Sequence, residues 1–223
     1  MLLSSLGNLA RNRGQYLAAR SYYDQAIEMD RAVAGNGQQV RNENHAKTIL
    51  NRGNTAMKLG KYKESRDFLE QALSMFYQLY GGKDAKNMDI AIVLCSLANL
   101  FRCEKDFMLS EDYYMKSLSM QYSVLGRDAQ NANIAETLHC IGMLQQDMDN
   151  YDTAKMYQEK ALKMIVGTMK NDSSKHPLVQ KIAHELVMIE QNGPKQPGMC
   201  WVPTKMGKGK RDSTYCSTSK LFD

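Results

Sequence analysis

The stretch that decides the fold is LGNLARNRGQYLAARSYYDQAI, Leu6 to Ile27, because the chain writes the same pattern three more times. It returns as RGNTAMKLGKYKESRDFLEQAL (52–73), as LANLFRCEKDFMLSEDYYMKSL (97–118) and as IGMLQQDMDNYDTAKMYQEKAL (141–162). With Gly7, Gly53, Ala98 and Gly142 as a common anchor, the periods are 46, 45 and 44 residues. A self-similarity of that length marks a stacked array of supersecondary units, each too small to bury its own apolar face.

Each unit reads as two helices. The first closes near Gly14, Gly60, Lys105 or Asp149, and in two of the four copies glycine is suited to a left-handed cap. Tyr16, Tyr62, Phe107 and Tyr151 follow two residues later, where an aromatic is expected to wedge between the helices. The second helix carries small residues in two columns: Ala19, Ser65, Ser110 and Ala154, then Ala26, Ala72, Ser117 and Ala161. Leu3, Ile49, Leu94 and Leu138 place an apolar side chain one turn before the anchor. Small residues at facing positions let paired helices approach closely, so these glycines serve packing and turns. Met29, Met75, Met120 and Met164 fall at core spacing near the ends of the second helices. Repeat two departs from the pattern with Arg52 and Leu69, and repeat four with Gln145 and Gln158.

The small–aromatic–small order resembles the tetratricopeptide repeat. The long period, together with LGNLARNRGQY and HPLVQKIAHEL, looks most like the repeats of kinesin light chain. The resemblance spans about Met1 to Gln191 and implies an all-α, right-handed superhelical solenoid. On this reading residues 1–192 form the array, with repeats at about 1–43, 44–88, 89–133 and 134–175 and a capping helix at 176–191. YGGKDAKN (80–87) and LGRDAQNAN (125–133) supply turn signals between repeats, and Pro177 suits the first turn of the cap. Residues 193–223, with three prolines, four glycines and no helical period, read as a disordered basic tail. Met1 falls almost at the start of a first helix, so the chain reads as a fragment or a truncated gene model; the alternative to an adaptor is a piece of a larger multi-domain protein whose repeats regulate an absent effector domain.

Composition narrows the function classes. Hydrophobic residues make up 43% and charged residues 24%, ordinary values for a globular protein, and no apolar run nears the roughly 20 residues of a membrane-spanning helix. No charged-then-apolar leader pattern is visible. The five cysteines are odd in number and irregularly spaced, which argues against a disulfide framework and for a reducing, cytoplasmic setting. Cys95 and Cys103 lie eight residues apart on one helix, about 12 Å, too far to bridge. The net charge of +5 is mostly a property of residues 193–223, where six cations face Asp212 and Asp223. The nearly neutral body makes nucleic acid an unlikely partner. KMGKGKR (205–211) is read as a solvated tail, with tail binding to nucleic acid or acidic surfaces as the alternative, and it lacks the GxxxxGK[ST] order of a phosphate loop.

The candidate site follows from the anchor. First helices of such an array line its concave groove, and the residue one past the anchor faces into it: Asn8, Asn54, Asn99 and Met143. One turn on stand Arg11, Met57, Arg102 and Gln146, with Lys58 beside Met57. An amide offers a donor and an acceptor to an extended peptide backbone. A cation on the same helical face takes a carboxylate. The sequence therefore predicts backbone capture by Asn8, Asn54 and Asn99 and carboxylate pairing by Arg11, Lys58 and Arg102. The kinesin light chain resemblance implies the same, a short acidic motif held in the groove. His139 beside Cys140 lacks the CxxC or HxxxH company of a metal site and reads as a groove-facing or interhelix histidine; His176 reads as a loop or cap residue. No catalytic constellation, cofactor site or small-molecule substrate is indicated, and the expectation is a non-enzymatic adaptor or scaffold.

Overall fold

Asparagine opens three of the first helices, because its short carboxamide reaches back to a backbone N–H that the helix leaves unpaired. Asn42 accepts from the His45 amide (2.7 Å), Asn87 from Asp89 (2.6 Å) and Asn131 from Asn133 (2.8 Å). His176 does the same for a fourth, its Nδ1 accepting from the Leu178 amide at 3.2 Å. The structure is a computed structural model, described here for residues 2–35, 42–169 and 176–192. The segment 193–223, with Lys205 to Arg211 and Trp201, lies outside the described residues.

Among those residues the chain is all helix. The first pair is α1 (Leu2–Asn12) and α2 (Tyr16–Ala34), the second α3 (Glu43–Lys58) and α4 (Tyr62–Tyr80). The third is α5 (Met88–Cys103) and α6 (Phe107–Leu125), the fourth α7 (Ala132–Asp147) and α8 (Tyr151–Gly167), and α9 (Pro177–Asn192) follows alone. Residues Met1–Gly193 form one compact unit.

Every pair turns the same way. Gln15 N–H donates to the Ala10 carbonyl, Lys61 to Ala56, Asp106 to Phe101 and Asn150 to Gln145, all at 2.8–2.9 Å. With the preceding residue bonded three back, this is a Schellman closure, which requires a left-handed residue just past the helix. Gly14 (φ 73°) and Gly60 (φ 72°) supply it, and so do Lys105 (φ 63°) and Asp149 (φ 59°), where the sequence places the closure but suggests a left-handed cap only for the glycines. The two non-glycine residues accept a conformation costing about 1–2 kcal/mol because the closing bonds leave no other.

Within each pair the anchor sets the spacing. A Cβ on Gly7 would meet the Tyr23 ring at 2.6 Å, and one on Gly142 would meet Gln158 at 2.8 Å. Each second helix then packs on the next first helix, and successive first helices also touch: α1 with α3, α3 with α5, α5 with α7, α7 with α9. Among the described residues the second helices make no comparable approach to one another, so the array curves with its first helices on the inside. The cap α9 occupies the place of a fifth first helix, against α7 and α8.

Two packing expectations change. The aromatic column is half-exposed, Tyr62 to 38%, because each aromatic starts its helix at the rim of the turn; among the described residues the buried aromatics are Tyr23, Phe76, Phe101 and Tyr114. Of the four methionines only Met75 is buried and Met29 is 56% exposed, since the column lies at the edge of the buried stripe formed by residues such as Ala72 and Phe76.

The irregular residues of repeats two and four find partners. Arg52 stands where other repeats have Leu6, Leu97 and Ile141, and it is 2% exposed. It donates to Asp24 (2.6 Å) and Glu64 and lies 4.7 Å from the centre of the Phe68 ring, while Arg20 reaches the same two carboxylates. Gln158 accepts from His139 Nδ1 at 2.8 Å, so that histidine lies between helices. Gln145 donates to Glu111 (3.1 Å) and accepts from Asn150 (3.0 Å).

Gly7→Ala is expected to lower stability by about 1–3 kcal/mol in urea titration, although alanine favours a helix by about 1 kcal/mol, and Lys105→Gly to raise it by up to about 1 kcal/mol. A stabilised Gly7→Ala would show that the contact with Tyr23 does not set the spacing. Burial alone would lift the Glu64 carboxyl, but the bond and charge of Arg52, with Arg20 and Lys61, outweigh it and hold the group below its ordinary range. A depressed carboxylate contributes stability above the ordinary glutamate range and loses it as pH falls through the folded value. Arg52→Leu should therefore be destabilised at neutral pH, with a gap to the parent that narrows between about pH 5 and about pH 3. A constant gap across that range would dissociate Glu64 from Arg52.

Candidate functional site

The inner face is built by a rule that links neighbouring first helices. At two of the three junctions between repeats, the residue two before an anchor stands against the residues one and four past the preceding anchor. Asn51 shows it between repeats one and two: its Nδ2 donates to Asn8 Oδ1 (3.1 Å), and its Oδ1 accepts from Arg11 Nη1 (2.9 Å). Cys140 holds the same place between repeats three and four, against the Asn99 amide and near the Arg102 guanidinium.

The asparagines are also held from behind. Tyr23 Oη donates to Asn8 Oδ1 and Tyr114 Oη to Asn99 Oδ1, each at 2.7 Å. Burial pushes both phenols above their ordinary range, so the hydroxyls keep their protons and donate. Each tyrosine fixes its amide with the oxygen turned toward the second helix. The Asn8 nitrogen has no partner among the described residues, whereas the Asn99 nitrogen lies 4.0 Å from Cys95 Sγ. In repeat two Leu69 replaces the tyrosine, and the half-buried Asn54 amide makes no hydrogen bond among the described residues. Arg102 Nη1 donates to Asp147 Oδ2 at 3.0 Å, with 18% of the arginine and 44% of the aspartate side chain exposed. Lys58 is exposed and occupies the column of Asp147 rather than that of the arginines. Such a face offers amide donors and cations to a ligand laid across the first helices.

Models of the tetratricopeptide repeat match residues 1–46, 44–123 and 135–165. The chain belongs to the tetratricopeptide repeat family. Its fold is similar to that of BtubC (BKLC) from P. vanneervenii, with a TM-score of 0.59 and 18% identity over 95% of this chain and 86% of that one. It is also similar to the nearly identical TPR-like repeats of a Podosopora anserina protein assigned as a kinesin light chain, with a TM-score of 0.58 and 14% identity over 85% and 84% of the two chains. At these identities the likeness concerns the fold. No curated protein matches the sequence.

The tetratricopeptide array thus gathers the predicted residues into three stations. Asn8 and Arg11 share one with Asn51, Asn54 and Lys58 stand in the middle, and Asn99 and Arg102 share one with Cys95, Cys140 and Asp147. Sequence reasoning missed Asn51, Cys140, Asp147 and the two tyrosines. One signal was present: Tyr23 and Tyr114 occur in the same two repeats that carry Asn-x-x-Arg, each fifteen residues after its asparagine. Among the described residues no group of three or more His, Cys, Asp or Glu side chains is placed to hold a metal, and no helix is long and apolar enough to cross a membrane.

The tyrosine–amide bond is open to a double-mutant cycle. Tyr114→Phe and Asn99→Ala are expected to show a coupling of about 1 kcal/mol in urea unfolding. Additive effects would mean that the hydroxyl does not position the amide.

Proposed function

We propose that this protein is a non-enzymatic adaptor whose concave inner face binds a short acidic peptide of a partner protein, in the manner of kinesin light chain-type repeats. Tetratricopeptide repeats are protein-interaction modules, and this coarser function follows from membership of the family. The observation that carries the finer reading is Asn54, a half-exposed amide without a partner among the described residues, midway between two stations whose amides are already oriented. An extended peptide crossing the first helices would meet the free Asn8 nitrogen, both functions of Asn54 and the Arg11 guanidinium in sequence.

Charge supports an acidic ligand, because Arg11, Lys58 and Arg102 rim the same face. Their contributions differ. Arg11 bonds a neutral amide, so an incoming carboxylate adds a charge-assisted contact that contributes about 1.5–3 kcal/mol. Arg102 already holds Asp147, so there a ligand carboxylate exchanges one anion for another and contributes less. Free thiols at Cys95, Cys103 and Cys140 fit a reducing, cytoplasmic setting.

Selection of a random peptide library on the full chain should enrich Asp- and Glu-rich sequences whose binding weakens as salt rises. Arg11→Glu and Asn54→Ala should each weaken a selected peptide by about tenfold with helicity unchanged, and Arg102→Glu by less than Arg11→Glu. Enrichment of uncharged sequences, or equal binding by the parent and Arg11→Glu, would remove the acidic-peptide reading.

A further inference from the structure

The described cysteines are not scattered. Cys95 and Cys103 lie on α5 and Cys140 on α7, and all three act electrostatically on the Tyr114 hydroxyl. Cys95 and Cys140 belong to neighbouring helices, α5 and α7, and Thr137, one turn before Cys140, brings its Oγ1 to 3.8 Å from Cys95 Sγ, so the Cys140 turn of α7 lies beside Cys95. Donors surround them. Besides Thr137, Asn99 Nδ2 lies 4.0 Å from Cys95 Sγ, while the Asn99 amide also bonds Cys140 near the Arg102 guanidinium. Both cysteines are half-buried.

We propose that Cys95 and Cys140 form a dithiol modification site, at which a hydroperoxide converts the pair into a disulfide joining the first helices of repeats three and four. Cys140 is the attacking thiol. The Cys95 S–H bond, the Arg102 charge and the Asn99 amide hold it below the ordinary thiol range, against burial and the nearby Glu136. Cys95, which gives its hydrogen to that bond, is pushed well above the range and serves as the resolving partner. A donor-rich, cationic and partly open surrounding is what makes a thiol reactive, and a second thiol alongside turns that reactivity toward a disulfide. Cys103 is exposed, but it stands about 12 Å along the same helix from Cys95 and cannot bridge to it.

The chemistry balances. The Cys140 thiolate attacks one peroxide oxygen and the O–O bond breaks, leaving Cys140 as a sulfenic acid; the departing oxygen takes a proton and leaves as water. Cys95 sulfur then attacks the sulfenic sulfur, the S–O bond breaks, and the released hydroxide takes the Cys95 proton and leaves as a second water. Two thiols have given up two electrons and hydrogen peroxide has accepted them. The site does not depend on whether a peptide occupies the groove.

The test treats the full chain with one equivalent of hydrogen peroxide, blocks the remaining thiols and maps the peptides without reduction. The expected product is a linked pair containing Cys95 and Cys140, abolished by Cys95→Ser or Cys140→Ser and retained by Cys103→Ser. Arg102→Gln should slow alkylation of Cys140 at neutral pH several-fold in the unoxidised chain. The proposal is overturned if the linkages run to Cys103, Cys200 or Cys216 instead, or if Cys140 proceeds to sulfinic acid with Cys95 still reduced. The parent chain alone decides this, so an unfolded serine variant does not obscure the outcome.

Discussion

In three of the four helix pairs a missing atom sets how closely the helices meet. Because Gly7 lacks a Cβ, the Tyr23 ring lies where that atom would be, and Gly142 makes the same room for Gln158. The helices of a pair come together at that contact, and the side chain that fills it decides what the next residue can do. In repeat one the filling side chain is Tyr23, and in repeat three, where the anchor Ala98 keeps its Cβ, Tyr114 stands in the same column; each hydroxyl reaches the asparagine one past the anchor. In repeat two it is Leu69, and in repeat four Gln158 turns to His139 instead. Packing and surface chemistry are thus written by one position, and the contrast between oriented and free amides along the groove is a by-product of how the helices fit.

The repeats are alike in backbone and unlike in what joins them. Between repeats one and two the contact combines an amide chain on the inner face with the buried Arg52 between Asp24 and Glu64. Between repeats three and four it is a cluster of thiols, an amide and a cation. A buried guanidinium accepts only a neighbour that brings carboxylates, since an unpaired buried charge is strongly unfavourable.

Much of this was legible in the residues. The recurrence of Gly7, Gly53, Ala98 and Gly142 gives the helix pairs, and the offset of one residue from the anchor gives the asparagine column. The tetratricopeptide pattern lies in spacing, and spacing is what a sequence displays directly. What was not legible depends on how far one repeat slides along the next. Arg11 meets Asn51, Cys95 meets Thr137 and Arg102 meets Asp147 at separations of 40, 42 and 45 residues, each within six residues of one period. Those offsets follow from the stacking and cannot be read from any single repeat. The left-handed Lys105 and Asp149 were hidden for another reason: their own preferences point elsewhere, and backbone bonds override them.

The two kinds of connection in this chain differ in their freedom. The turn inside every pair is three residues long, whereas the links between pairs run to eight, seven, six and nine. The shrinking period of 46, 45 and 44 is absorbed entirely by those links. One joint has a fixed gauge, held by hydrogen bonds that count residues; the other has slack. Changes in the length of this protein, whether by descent or by design, have somewhere to go only at every second connection. The inner face can keep its alignment through them because each row of groove residues rides on a pair whose internal dimensions never change.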